Sequence, residues 1–586
     1  FSMTGRRNIF LVFSALGLFV FGGWSMGSTG PETLLSSTVD AQSQQNVSAV
    51  RAPHGMVVSA TKIASEAGAQ VLRAGGNAVD AAIATGFALA VTSPSNGNIG
   101  GGGFMVIRFP NGSTTAIDFR EKAPLASFPE MWLEDGEYSS QKHHQSHWAV
   151  GVPGTVAGFW KAHQLYGHGE WSGLVDPAIG LASDGFPISE SLARGLRGLI
   201  EGRGSRHPGT MKSFAKNGTE AYEQDEILKQ PDLALSLGRI AVDGHDGFYS
   251  GETAELLVAE MERAGGLITM EDLQRYQARE RTPVHGSYRG YDVISMPPPS
   301  SGGIAIVQML NILEGFDLNE MGHNSADYIH HLTEAMRRAY RDRATYLADQ
   351  DFADVPLHRL TSKDYAAELR VGIDPTTASV SQTSDIALGY ESPETTHYSV
   401  VDAQGMAVSV TYTLEAGYGS AITVPGGGFL LNNEMGDFNA GPGITTERGL
   451  IGTRPNLARP EQRMLSSMSP SIVAKDGELV AVIGSPGGRT IINTVLQLIL
   501  NIVDFDHGIQ EAVNAPRIHH QWLPGSVRIE QPGATDEILA TLRAMGHEVT
   551  TGRGQGRAHS IMVDPDTGDR LGAADPRGAD SGASGH

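Results

Sequence analysis

Glu394-Thr395-Thr396-His397-Tyr398-Ser399-Val400-Val401 is the stretch on which the reading of this chain turns. Upstream, residues 374–394 are rich in Thr, Ser, Asp and Pro and poor in large apolar groups, which predicts an exposed, mobile segment. Downstream, His397 to Val401 and Ala407 to Leu414 read as strands joined across Asp402-Ala403-Gln404-Gly405, a hairpin. A polar segment therefore runs straight into a buried hairpin, with a threonine at the junction. A threonine hydroxyl is a poor nucleophile without a base. A backbone cut just before Thr395 would supply one, its own α-amine, held rigidly beside the hydroxyl. An α-amine has a pKa of about 7.7–8.0, so a useful fraction is unprotonated near neutrality. The alternative is an ordinary strand start, because threonine favours strands. The pattern alone leaves both open.

Working outward, Gly484-Ser485-Pro486-Gly487-Gly488-Arg489 lies between a strand, Leu479 to Ile483, and a helix, Ile491 to Ile502. Two successive glycine N–H groups at a helix N-terminus can bind an oxyanion without Cβ crowding. A tight strand-to-helix turn needs the same residues, and the phosphate-loop spacing is missing. Arg120 ends an apolar strand and can clamp a carboxylate bidentately or pair with a nearby acid. Asp437, in Asn432-Asn433-Glu434-Met435-Gly436-Asp437, can receive an ammonium or bond loop amides. Ser466 and Ser467 precede a strand and carry little signal alone. The cluster His143, His144 and His147 has no metal-binding pattern and reads as a solvated loop. Gly100 to Gly103 lacks the dinucleotide fingerprint, and no G-x-S-x-G elbow is evident.

Helical spacing marks Thr61 to Leu72, stopped by Gly75-Gly76, then Ala78 to Val91, capped by Asn77 and apolar on nearly every side. Phe104 to Phe109 and Thr114 to Phe119 form a hairpin over Pro110-Asn111-Gly112. Helices recur from Thr155 to about Ile200 and within 232–270. Pro297 to Gly303 is a rigid turn into the helix Ile304 to Leu313. In the amphipathic helix Asp327 to Leu347, Arg337, Arg338, Arg341 and Arg343 fall mostly off the apolar face. Further strands are predicted at Phe429 to Leu431, Ser471 to Val473, Val527 to Glu530 and Ser560 to Val563, and the tail after Asp564 is expected to fray. The pattern is α+β, helices outside antiparallel strands. A layered α/β/β/α arrangement fits, although other α+β folds do too.

The composition sets outer limits. Gly makes up 73 of 586 residues, against an ordinary usage of about 7%, and with no collagen period the excess goes to turns and close backbone contacts. The formal charge of −22 argues against nucleic acid as a partner and suits an enzyme of small substrates. With no Cys, thiol catalysis and zinc–thiolate sites are excluded. Phe1-Ser2 reads as a tag remnant before Met3. Arg6-Arg7 and the apolar run Ile9 to Phe21 read as a secretory signal, too short for a membrane span of about 20 residues. A buried N-terminal helix is the other reading. If the signal stays uncleaved it becomes a membrane anchor. Residues 1–45 are thus signal and tether.

Several blocks together resemble the gamma-glutamyltransferase (gamma-glutamyltranspeptidase) family of N-terminal-nucleophile hydrolases, from about Pro53 to Pro576. They are Gly75 to Ala82, Gly100 to Gly103, Asp118-Phe119-Arg120-Glu121, Pro297 to Gly303, Thr395-Thr396-His397-Tyr398, Asn432 to Met435, Ser466 to Pro470 and Gly484 to Arg489. The resemblance implies a four-layer αββα sandwich of two stacked, mainly antiparallel sheets flanked by helices. It implies a precursor that cuts itself between Glu394 and Thr395, giving a large subunit, 46–394, and a small subunit, 395–586, in one composite domain. It implies transfer of a γ-glutamyl group from glutathione or a related amide to water, an amino acid or a peptide, with no cofactor and no metal. Carried over, Thr395 is nucleophile and base, and Thr413 orients it. Gly487 and Gly488 form the oxyanion hole. Arg120, Ser466 and Ser467 hold the donor carboxylate, and Glu434 and Asp437 its ammonium. Two departures stand out. Glu415 replaces the Asn of many members, a substrate-binding position where a carboxylate either adds attraction for the ammonium or disturbs donor-carboxylate binding, and Asn439 to Met464 lacks the lid tyrosine of some bacterial ones. These keep open a cephalosporin or glutaryl-amide acylase of the same fold. A periplasmic binding protein with a decayed site is a third reading, opposed by the intact Thr395, Thr413, Gly487 and Gly488.

Overall fold

The computed structural model describes residues 48–382, 395–444, 446 and 452–586, all within one unit, Val47–His586. Glu394, most of the expected mobile segment, part of the lid stretch and the N-terminal signal lie outside the described residues.

Two seven-stranded antiparallel sheets form the centre. The first runs Gly582–Gly585, Met56–Ser59, Thr396–Val401, Ala407–Thr413, Gly102–Arg108, Thr114–Phe119, Arg279–Arg281. The second runs Val50–Ala52, Arg570–Ala573, Ser560–Val563, Glu478–Ile483, Ser471–Lys475, Tyr291–Ser295, Val284–Tyr288. The period-two alternation of the first sheet divides its side chains between two cores. Met105, Ile107, Val408, Val410 and Tyr412 join the outer cluster with the helices Lys62–Arg73, Ala78–Thr92 and Thr155–Tyr166. Phe104, Val106, Ala116, Val401 and Ala407 join the inner cluster with Val293, Ile472 and Val482 of the second sheet. The helix Gly302–Leu313 packs on the far side of that sheet, backed by Ala326–Tyr346 and Thr490–Val503. The result is helix, sheet, sheet, helix, the layering that the resemblance implied.

Local chemistry explains the helices best. Thr61 caps Lys62–Arg73 through the Ala64 N–H. Asn77 and Asp80 form a reciprocal capping box, and all of Ala78–Thr92 is buried. Among the described residues no helix is long and apolar enough to cross a membrane.

Three expectations need correction. The tail after Asp564 does not fray: Arg570–Ala573 and Gly582–Gly585 are strands, and the latter pairs with Met56–Ser59 in the first sheet. Phe429 to Leu431 forms only an isolated bridge, Thr423 with Leu430. Residues 374–382 are tied down in part, with Ala378 N–H bonded to Met545 O at 2.8 Å. Arg337, Arg338 and Arg343 lie off the apolar face of their helix, as expected, and are nonetheless buried. Glu334 meets Arg337 at 3.2 Å and Arg338 at 2.6 Å, while Arg343 donates to Ser301 Oγ at 2.8 Å and Ser467 Oγ at 3.0 Å.

Candidate active site

Thr395 stands immediately before the strand Thr396–Val401, whose first residue pairs with Tyr412. That register brings Thr395 beside Thr413 at the hairpin's open end. Thr413 in turn pairs with Gly102, and Asn98 Nδ2 donates to its carbonyl at 2.9 Å. The glycine run now has a physical reason: a Cβ on Gly101 would sit 2.1 Å from Thr413 O. Thr413 Oγ1 accepts the Glu415 N–H at 2.9 Å, which holds Glu415 in the left-handed region at φ 77°.

One pocket is lined by the residues expected to act on the donor, except Gly487: Arg120, Thr395, Thr413, Glu415, Glu434, Asp437, Ser466, Ser467 and Gly488. Met468, inside the block Ser466 to Pro470, and Ile491 complete it, and Ile491 carried no signal in the sequence beyond being apolar. Gly487 and Gly488 form the turn into Thr490–Val503, with φ of 132° and 56° that only glycine adopts without strain. Their carbonyls are used by Thr490 N–H and Ile491 N–H at 3.1 and 3.0 Å. Among the described residues no backbone carbonyl takes either glycine's own N–H.

Arg120 is fully buried at the end of Thr114–Phe119. Its Nη1 donates to Glu434 and its Nη2 to Asp437. Nε donates to Met464 O at 3.2 Å and Nη2 to Leu465 O at 3.1 Å. Of the two readings of Arg120, the geometry shows the structural pair, and its partners are the two acids expected to receive an ammonium. Burial alone would lower its pKa, but Glu434, Asp437 and Glu121 together raise it. Burial dominates on the acids. It raises Glu434 and Glu415 well above the carboxylate range, against the pull of Arg120, and lifts Glu121 to about 8.

The acids are held by a scaffold of amides. Asn432 Nδ2 donates to Gly100 O at 2.9 Å and Gly151 O at 2.8 Å, and its Oδ1 receives Glu434 N–H at 3.0 Å. Asn456 Nδ2 donates to Asp437 O at 2.7 Å. Ser466 and Ser467 are set by the turn Pro297 to Gly303: Ser466 N–H bonds Pro299 O at 2.9 Å, and Ser301 N–H bonds Ser466 O at 2.7 Å.

The histidine cluster departs from the solvated-loop expectation. His143 is buried, stacked on Trp132 with ring centres 4.3 Å apart, and bonds Met435 O at 3.0 Å. It buttresses the turn Glu434–Asp437. Only the distant apolar partner Trp132 could have signalled this.

These features define an α/β/β/α enzyme whose pocket opens at a threonine on the rim of a central sheet. The family model for gamma-glutamyltranspeptidase matches residues 64–585, and the chain belongs to that family. It is 49% identical over 542 residues to a glutathione hydrolase proenzyme of Escherichia coli (strain K12), covering 92% of this chain and 93% of that one. Among solved structures, a cephalosporin acylase from Bacillus halodurans superposes with a TM-score of 0.82 at 27% identity, covering 94% of this chain and 99% of the other. A Helicobacter pylori gamma-glutamyltranspeptidase gives 0.54 at 45% identity, covering 57% and 95%.

Proposed function

We propose that the chain is a self-cleaving precursor whose mature form hydrolyses the γ-glutamyl amide of glutathione or a related donor, or transfers its acyl group to an amino acid or peptide. In the uncut chain the Thr395 nitrogen is an amide and cannot act as a base. Maturation begins when Thr395 Oγ adds to the Glu394 carbonyl. The C–N bond breaks as its nitrogen takes a proton, and water hydrolyses the resulting ester. A carboxylate remains on Glu394 and an amine on Thr395, dividing 46–394 from 395–586.

In the mature site the amine takes the Thr395 Oγ proton as the oxygen attacks the γ-carbonyl. Gly487 and Gly488 N–H groups receive the oxyanion. The tetrahedral centre collapses, the leaving amine takes the proton from the Thr395 ammonium, and a γ-glutamyl ester remains. Water or an acceptor amine reverses the sequence. Arg120, Ser466 and Ser467 hold the donor's α-carboxylate, and Glu434 and Asp437 its ammonium. A zwitterion needs both signs, and the Arg120 cluster offers both within one pocket. That convergence on Thr395, Thr413 and Gly488 is the observation that supports the reading most. Export to the periplasm or beyond accords with the basic start and apolar run at Arg6 to Phe21.

The likeness to a cephalosporin acylase favours a second reading, hydrolysis of glutaryl-type amides that lack the ammonium. Steady-state kinetics with glutathione and with a glutaryl amide, each with and without a dipeptide acceptor, separate the two. A kcat/KM for glutathione above that for the glutaryl amide is expected, and the reverse order makes the chain an acylase.

A further inference from the structure

The charges around Arg120 do not balance. One guanidinium meets Glu434 and Asp437 directly, and Glu121 Oε2 lies 3.7 Å from its Nη1. Glu415 brings a third carboxyl to the pocket that Glu434 and Asp437 line. Its surroundings give it little cationic support. Asn433 Nδ2, a neutral donor, bonds Oε2. His144 Nδ1 stands 3.8 Å from Oε1, but burial pulls that histidine down to about 4 and leaves it neutral. Tyr138 OH bonds the same ring at 3.3 Å. Arg203 spends its Nη groups on Gly419 O and Gly417 O, both at 2.9 Å. Asp437 adds repulsion. Glu121, behind Arg120, lies near the buried phenols Tyr249 and Tyr276, and among the described residues neither of its oxygens has a hydrogen-bond partner. Arg203 and Arg120 attract Glu415 through space, but among the described residues neither donates a hydrogen bond to it, and burial outweighs their pull.

We propose that the empty pocket stores a proton on Glu415 and that the ammonium of an amino-acid donor displaces it to solvent. A donor carrying an ammonium then binds with release of one proton, and a donor lacking it binds without. The exchange balances: carboxylic acid plus ammonium gives a carboxylate–ammonium pair and a free proton. This makes Glu415 a specificity residue. At low pH the neutral carboxyl tolerates a glutaryl group. As pH rises, affinity for an ammonium-bearing ligand grows by up to about tenfold per pH unit over the range where Glu415 stays protonated in the empty site. The inference rests on the γ-glutamyl reading above.

The test is calorimetric titration of the mature, processed enzyme with L-glutamate and with glutarate, in two buffers of different ionisation heat. Close to one proton released by L-glutamate and none by glutarate is expected. In Glu415→Gln the release by L-glutamate should fall below about half, and its inhibition constant should lose the pH slope that the wild type shows. Equal release by both ligands, or release unchanged in the variant, overturns the proposal. If L-glutamate fails to compete with a γ-glutamyl donor at all, the γ-glutamyl reading falls and takes the proposal with it. Competition without proton release sinks the coupling alone. Should Glu415→Gln not mature, the two-ligand comparison in the wild type decides by itself.

Discussion

Arg120→Lys isolates what the guanidinium contributes beyond its charge. Arg120 spans Glu434 with one arm and Asp437 with the other, and bonds the carbonyls of Met464 and Leu465. A lysine ammonium is a single point and cannot span both acids while keeping a donor for the substrate carboxylate. The loss amounts to one charge-assisted hydrogen bond, about 1.5–3 kcal/mol. At 1.36 kcal/mol per decade, kcat/KM for a γ-glutamyl donor should fall about 10- to 150-fold. The positive charge stays, so the full cost of an unpaired buried acid, about 3–5 kcal/mol, is not incurred, and the variant should fold and mature. The assay is steady-state release of the amine leaving group, with urea unfolding run alongside. A folded, processed Arg120→Lys whose kcat/KM lies within twofold of wild type would refute the clamp.

Two further predictions follow from buried geometry. A Cβ on Gly484 would lie 2.2 Å from His397, whose ring is pinned by Thr411 Oγ1 at 2.9 Å and Ser399 Oγ at 3.1 Å. Gly484→Ala should therefore displace the turn that carries Gly487 and Gly488, and kcat should drop roughly 100-fold, as when one oxyanion donor is lost; an unchanged kcat would separate this turn from catalysis. Glu334 is buried, yet Ser379, Arg337 and Arg338 hold it down to about 2 from 4.5. A carboxyl depressed in the folded state stabilises above its unfolded pKa and loses that stability as pH falls toward its folded one. On the order of 3 kcal/mol should thus disappear between about pH 4.5 and 2, and Glu334→Gln should flatten that step in acid unfolding. A variant whose stability falls in parallel with wild type across that interval would contradict it.

The nucleophile hairpin and the capped helices were legible because their signals are local. Alternation marks Thr396–Val401 and Ala407–Thr413, and Asn77 with Asp80 marks a helix start. The candidate site was legible only as scattered blocks, since Arg120, Glu434 and Ser466 meet through sheet register and an asparagine scaffold. What sequence could not display was set by tertiary contact. Gly582–Gly585 has no strand propensity and becomes a strand because it completes the edge beside Met56–Ser59. His143 reads as polar until Trp132 covers it. Arg337 and Arg338 read only as lying off the apolar face, and their pairing with the buried Glu334 of their own helix shows only in the packed structure.

The central claim is that a threonine becomes a chain end and then carries the acyl group. Denaturing electrophoresis with N-terminal sequencing, applied to the purified chain and to Thr395→Ala, tests it most directly. Two wild-type fragments, the smaller starting at Thr395, and a single uncut, inactive variant are predicted. A wild-type chain that stays whole while consuming glutathione, or a variant cut at the same bond, would contradict it.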